Sequence, residues 1–302
     1  MTYERTTRDT LTAVELDVGE ELAFTLADGT TQTIEVLDTR ADIMFTTLDA
    51  STRPLEPERG ARTFYEFECD LAVNGEEHTL RREVPTNDSF YEPWVIDGIE
   101  IWFDAVADIF EYLTEAHGDA EGCPNADARF GIQDATKRIC PEPIHPWCPL
   151  PGEMDIYRCY LGEDCWLGPY FGADAHVGLD INHSYPTPIW APIDFDDHYL
   201  FDRVDGDANN NRHRGHRQWD DGSEWQLQCH HMTEITVEEG EPVAAGEQYA
   251  DGAGVHSGYH EHSHFLFRVV EPDDTEIVLD PWILFRQMYL DVEAGLVPER
   301  YE

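Results

Sequence analysis

From Leu16 to Pro85 apolar and polar positions alternate, as in Leu22, Phe24 and Leu26, then Ile34 and Val36, and later Leu71 and Val73. Asp28-Gly29 and Asn74-Gly75 interrupt the alternation. Alternate residues of a strand share a face, and Asp-Gly or Asn-Gly readily adopts the positive φ of tight turns, so this stretch predicts β-hairpins. The period lengthens near Asp104, which as an N-cap would open a helix with Val106, Ile109, Phe110 and Leu113 inward and Gly118 beyond its end.

From about Gly122 to Tyr170 neither period holds, and the segment carries Cys123, Cys140, Cys148, Cys159 and Cys165 among several prolines. After Phe171 short strands return, including 224–229, 265–270 and 276–279. Asp280-Pro281 then provides an N-cap and a first-turn proline for a helix through Trp282, Phe285 and Met288, which Gly295 would end. The expected fold is mainly β, in three parts. A β-rich N-terminal domain with one helix covers 1–121, a Cys/Pro-rich connector covers 122–170, and an antiparallel β domain covers 171–302. No solenoid-length repeat is present.

Composition changes the picture of the surface. Against 19 Lys+Arg stand 63 Asp+Glu, a formal net charge of −44, and Lys137 is the only lysine. Such a charge opposes compaction in dilute buffer, whereas molar salt shortens the screening length to roughly 3 Å. The composition resembles that of proteins from extreme halophiles, with the acids forming a solvated surface. The same field repels phosphate backbones, so nucleic acid is not an expected partner. No apolar run approaches the roughly 18 residues of a membrane span. The sequence from Met1 to Arg5 has neither an apolar signal core nor a twin arginine, so the expected location is internal, or extracellular if a leader has been removed.

None of the clustered cysteine spacings is C-x-x-C, which disfavours a zinc ribbon and leads to an expectation of one or two disulfides between Cys123 and Cys165. Cys69 and Cys229 lie in strand-like runs and read as buried small hydrophobes.

Most of the 14 histidines follow Gly172. Ala175-His176-Val177-Gly178-Leu179-Asp180 reads as a loop entering a strand, with a histidine and an aspartate offset so as to converge on one ion. His262-Ser263-His264 opens another strand and points both imidazoles into the same space. Two imidazoles and a carboxylate suit zinc, and three protein ligands leave a fourth position for water, whose pKa then falls to roughly 7. Nearby histidines that do not ligate would move its proton. A cupin also begins H-x-H but needs a further histidine downstream, and none follows His264.

The order H-x-G-x-D (His176 to Asp180), His231-Met232, a glycine-spaced run from Val237 to Gly246, and His262-Ser263-His264-Phe265 resembles the LytM/lysostaphin-type zinc endopeptidases, the M23 peptidases. Thr187-Pro188-Ile189-Trp190-Ala191-Pro192 and Leu279-Asp280-Pro281 add to the likeness, which covers the chain from about Phe171 onward. The resemblance implies a compact antiparallel β domain with a metal-binding groove that cleaves peptide bonds between small residues, usually in cell-wall peptides. It implies zinc held by His176, Asp180 and His264, with His231 and His262 as catalytic histidines. Leu266 and Ser263 depart from the family pattern beside the site and leave its ligands intact.

Between Ile193 and Trp219 lies an insertion rich in Asp, Asn, Arg and His, expected as a solvated loop at the rim of the groove. Its Asp205-Gly206-Asp207-Ala208-Asn209 resembles the start of a calcium loop, but Asn210 stands where glycine is needed and His216 where glutamate is needed. His183, His198, His213, His216, His256 and His260 read as satisfied surface or core residues, with His183 near enough to the metal motif to support it. His230 and His231, as strand neighbours, are expected to face opposite sides, with His231 toward the groove. The leading function is a zinc endopeptidase acting on a peptide or cell-wall polymer. The alternatives are a zinc-dependent polysaccharide lyase or hydrolase using Tyr185 or Tyr259, and a non-catalytic metal-stabilised binding domain.

Overall fold

The computed structural model describes residues 2–47, 63–117, 122–161, 177–184, 186–201, 211–253 and 262–302. The chain divides into two compact units, Met1–Pro141 with Leu161–Val177, and Glu142–Tyr160 with Gly178–Glu302. Among the described residues it is mainly β with two α-helices. No helix among them is long and apolar enough to cross a membrane.

The first unit contains β1 (Thr2–Thr6), β2 (Thr12–Leu16), β3 (Glu21–Thr25), β4 (Thr31–Thr46), β5 (Thr63–Val73), β6 (Glu76–Val84), β7 (Trp94–Ile96), β8 (Ile99–Val106) and β9 (Ala128–Asp134). One sheet runs β1-β3-β4-β5-β6 and a second β2-β9-β8-β7. Neighbours are antiparallel except for β1 beside β3. Strand β5 illustrates the period-two rule: Tyr65, Phe67, Cys69, Leu71 and Val73 enter the core, while Glu66, Glu68 and Asp70 face outward toward Arg81 and Arg40. Inward residues of both sheets join in one core. Asn74 (φ 51°) and Gly75 (φ 80°) make the predicted turn between β5 and β6, and Asp97 (φ 49°) with Gly98 (φ 81°) repeats it between β7 and β8.

The predicted helix begins later than Asp104. Strand β8 runs on to Val106, a 3-10 turn follows, and α1 spans Phe110–His117. Asp104 is buried in the strand, where it accepts from Arg82 (3.1 Å) and Arg129. A carboxylate flanked by two guanidiniums is held as an ion pair and is not available as a cap. Ile109 and Leu113 point inward as expected, but Phe110 is exposed. Gly118 lies outside the described residues.

The second unit contains β10 (Cys159–Leu161), β11 (Leu179–Asn182), β12 (Thr187–Trp190), β13 (Asp197–Phe201), β14 (Asn211–Gln218), β15 (Glu224–Ile235), β16 (Gln248–Ala253), β17 (His262–Val270) and β18 (Glu276–Leu279). Their order is β10-β11-β17-β15-β14-β13, with β18 on the far half of β17 and β16 joining β15 to β12. On one face, Trp225, Leu227 and Cys229 of β15 and Phe265, Phe267 and Val269 of β17 form the core. Trp147, from the segment expected as a connector, packs on Phe265 and Phe285 with centroids at 4.8 and 6.3 Å and donates to Tyr249 Oη at 2.9 Å. Helix α2 (Trp282–Glu293) opens one residue later than expected, with Pro281 at the N-cap, while the Asp280 carboxylate accepts from the Trp282 N–H at 2.7 Å and Gly295 (φ 68°) follows the helix end.

Two expectations change here. The 194–218 insertion is a hairpin as well as a loop, since β13 and β14 add to the sheet edge beside β15. Its alternation reads both ways: Arg212 and Arg214 take one face while His198 and His213 are wholly buried on the other. The calcium-like residues 205–210 lie outside the described residues. The cysteines also differ, because no disulfide joins any of the described ones, Cys123, Cys140, Cys148 and Cys159 included. Cys148 and Cys159 are packed as apolar groups in the core of the second unit, and Cys165 lies outside the described residues.

Candidate metal centre

Three adjacent strands converge on the site. In β11–β17 pairing Asp180 stands opposite His264 and Asn182 opposite His262, and in β15–β17 pairing His230 stands opposite His264. Directly paired residues share a face, and so do i and i+2, which places Asp180, His262, His264 and His230 together on the side away from Phe265. His264 Nδ1 lies 2.7 Å from Asp180 Oδ1, and His262 Nε2 lies 3.5 Å from Asp180 Oδ2. Asp180, His262 and His264 are all buried.

Gly178 explains the glycine in H-x-G-x-D. Its φ is 119°, and a Cβ there would overlap the carbonyl oxygen of Phe265 and lie 3.0 Å from Cε1 of His264. The backbone at Gly178, two residues before Asp180, therefore passes close over the His264 imidazole at a point where only glycine fits.

His231 takes a left-handed conformation, φ 63°, which breaks the alternation of β15. As a result His230 and His231 do not diverge as expected. The His230 ring is centred 4.7 Å from that of His264, and the His231 ring 4.8 Å from His262 and 6.4 Å from His264. The orientation of His230 is set by a chain of hydrogen bonds. Arg214 Nε donates to Gln228 Oε1 at 2.7 Å, so the Gln228 amide nitrogen faces His230 Nε2, with which it is in hydrogen-bond contact. An amide nitrogen only donates, so Nε2 is the acceptor and the His230 proton sits on Nδ1. Desolvation, with His264 and Arg212 nearby, holds the His230 pKa well below the usual range and keeps the ring neutral. His183, three residues past Asp180, is also buried, and burial pulls its pKa down to about 3.

His176 lies outside the described residues, as do Tyr185, His256, Tyr259 and His260. Among the described residues no three of His, Cys, Asp and Glu form a metal site by themselves. Asp180 and His264 supply two of the expected donors. Ligand atoms about 2.0–2.1 Å from a tetrahedral zinc are separated by roughly 3.3 Å, so a pair at 2.7 Å accommodates zinc after opening by about 0.6 Å. The donor chemistry and the cradle over Gly178 fit the ion. Sequence reasoning passes over Gln228 and Arg214 and turns His230 away from the groove, although Gln226, Gln228 and His230 are in phase on the polar face of β15 and that phase is readable.

No protein-family model matches the chain, and no curated protein does. Solved structures similar to it include a candidate M23 peptidase of Pseudomonas aeruginosa (17% identity, 83% of this chain and 92% of that one, TM-score 0.30). A zinc-containing peptidase from Vibrio cholerae is 10% identical over 88% of this chain and 83% of that one, with a TM-score of 0.29. Helicobacter pylori Csd3 is 9% identical over 94% and 82%, with a TM-score of 0.28. Likenesses this small carry no argument about the site, which rests on its own residues.

Proposed function

We propose that residues 171–302 form a zinc-dependent hydrolase of the M23 type that cleaves peptide bonds in a cell-wall or small-residue-rich polymer. The observation that carries this reading is the buried Asp180–His264 pair, flanked on the same sheet face by His262 and His231. His176, Asp180 and His264 would hold the ion. Zinc, when bound, supplies Lewis acidity toward water and a peptide carbonyl.

The chain's own residues do the rest. Asp180 Oδ1 and His264 Nδ1, side by side, would both be donors to the ion, and Gly178 lets the backbone entering β11 pass against the His264 ring. His262 and His231, 4.8 Å apart, are placed to take a proton from the attacking water and to deliver one to the leaving amine. Metal analysis coupled to a cleavage screen of cell-wall sacculi, peptides and anionic polysaccharides in high salt tests the reading. Stoichiometric zinc with peptide cleavage, abolished in His264→Ala, is expected. Zinc-free protein that still cleaves would overturn it.

A further inference from the structure

Across β15 and β17 His230 is paired directly with the donor His264, and the two rings are centred 4.7 Å apart. Two imidazoles bound to one tetrahedral zinc, through nitrogens about 2.0–2.1 Å from the ion, have ring centres roughly 5 Å apart. His231, the neighbour assigned to proton transfer, is centred 6.4 Å from His264. By spacing alone His230 is therefore better placed than His231 to join His264 on the ion. A fourth protein ligand would fill the position that a hydrolytic zinc keeps open for water.

The hydrogen bonds around His230 oppose this. A histidine ligates through an unprotonated nitrogen. In His230 that nitrogen is Nε2, whose lone pair accepts from the Gln228 amide, while Nδ1 carries the proton. Gln228 cannot turn its amide over to release Nε2, because its Oε1 accepts from Arg214 Nε at 2.7 Å and a flip would set donor against donor. Gln228 is buried and stands directly opposite Arg214 in β14–β15 pairing. Strand β14 belongs to the 194–218 insertion, which thus reaches the metal centre through Arg214, Gln228 and His230.

We propose that Gln228 is a positioning residue that withholds His230 from the ion and so keeps the water position open. The proposal rests on the hydrolase reading above. With the amide gone, the His230 ring is free to turn and to offer a nitrogen in competition with water. A phenyl ring at 230 would brace His264 as the imidazole does and add no donor.

The test uses the full-length protein in high salt. Zinc affinity is read by competition with a chromogenic chelator, and coordination from the visible spectrum of the cobalt(II) form. His230→Phe should keep the wild-type affinity and spectrum. Gln228→Leu should hold zinc about ten- to a hundred-fold more tightly, shift the cobalt spectrum and cleave more slowly. The double variant Gln228→Leu/His230→Phe should return affinity and spectrum to wild type, a reversal that loosened packing would not produce. If Gln228→Leu fails to fold, Gln228→Glu takes its place: a carboxylate accepts from both Arg214 and His230, moves the His230 proton to Nε2 and frees Nδ1. Its gain in affinity should likewise vanish with His230→Phe. Unchanged affinity and spectrum in Gln228→Leu, with cleavage intact, overturn the withholding and leave the hydrolase standing. Zinc loss in His230→Phe equal to that in His264→Ala makes His230 a ligand and overturns it too. The expected changes in zinc binding, without cleavage of any peptide, support the withholding and overturn the hydrolase.

Discussion

Asp180 and His264 face each other across two antiparallel strands, with Oδ1 and Nδ1 2.7 Å apart. Direct pairing fixes their separation more tightly than a loop would. Replacing Asp180 or His264 by Ala should each remove the zinc measured by elemental analysis, while His262→Ala and His231→Ala should keep it and lose turnover by about 10²–10⁴. Full zinc occupancy in His264→Ala would disprove that ligand. His230→Ala is not a neutral control, because its ring lies against His264.

Gly178→Ala tests the crossing over that ring. A methyl group would meet the Phe265 carbonyl, and φ 119° is strained for any residue but glycine. We expect a loss of about 2–4 kcal/mol in chemical denaturation of the second unit, with zinc affinity reduced. Wild-type stability in this variant would show that the loop is free to shift.

Acid should destabilise the second unit through its buried histidines. Burial lowers the pKa of His183 to about 3, and that of His213 falls well below its usual value, with His198 beside it adding to the effect. Among the described residues, the ring nitrogens of His183 and His213 have no hydrogen-bond partner. Because folding holds these rings neutral, no penalty exists above the unfolded value near 6.5. Below it the unfolded chain takes up protons and stability falls by about 1.4 kcal/mol per pH unit for each such group. His213 stacks between Tyr249 and His198, so His213→Phe should flatten the fall between pH 6.5 and 4.5 in urea titrations. An unchanged slope would exclude its part.

The charge of −44 predicts a melting temperature that drops steeply below roughly 0.5 M salt, as unscreened carboxylates repel. A salt-independent melting temperature would refute a halophilic adaptation.

Thiol counting distinguishes the two readings of the cysteines. Cys148, Cys159 and Cys229 should alkylate only after denaturation, without any reductant, since they are buried thiols whose pKa burial raises. A mass shift on reduction would restore a disulfide between Cys123 and Cys165.

The strands were legible where alternation was strict, as in β5, and where turn chemistry was local, as at Asn74-Gly75. Helix α2 was legible because Asp280, Pro281 and Gly295 act within their own neighbourhood. Asp104 misled because its role comes from Arg82 and Arg129, distant in sequence. The 194–218 segment misled in the same way: its polar residues read as a loop, but β15 offers an edge that recruits them as strands. At the site, Asp180, His262 and His264 followed from strand phase, which pairing preserved. His230 did not, because one positive φ at His231 undoes a rule that assumes an unbroken strand.

His262 and His264 share β17 with Phe265, Phe267 and Val269, so the reactive face and the core are alternate teeth of the same comb. One residue inserted in β17 would turn the imidazoles into the interior and the phenyl rings into water. Insertions and deletions there cannot yield a folded but inert relative. This strand can lose its chemistry gently only by substitution.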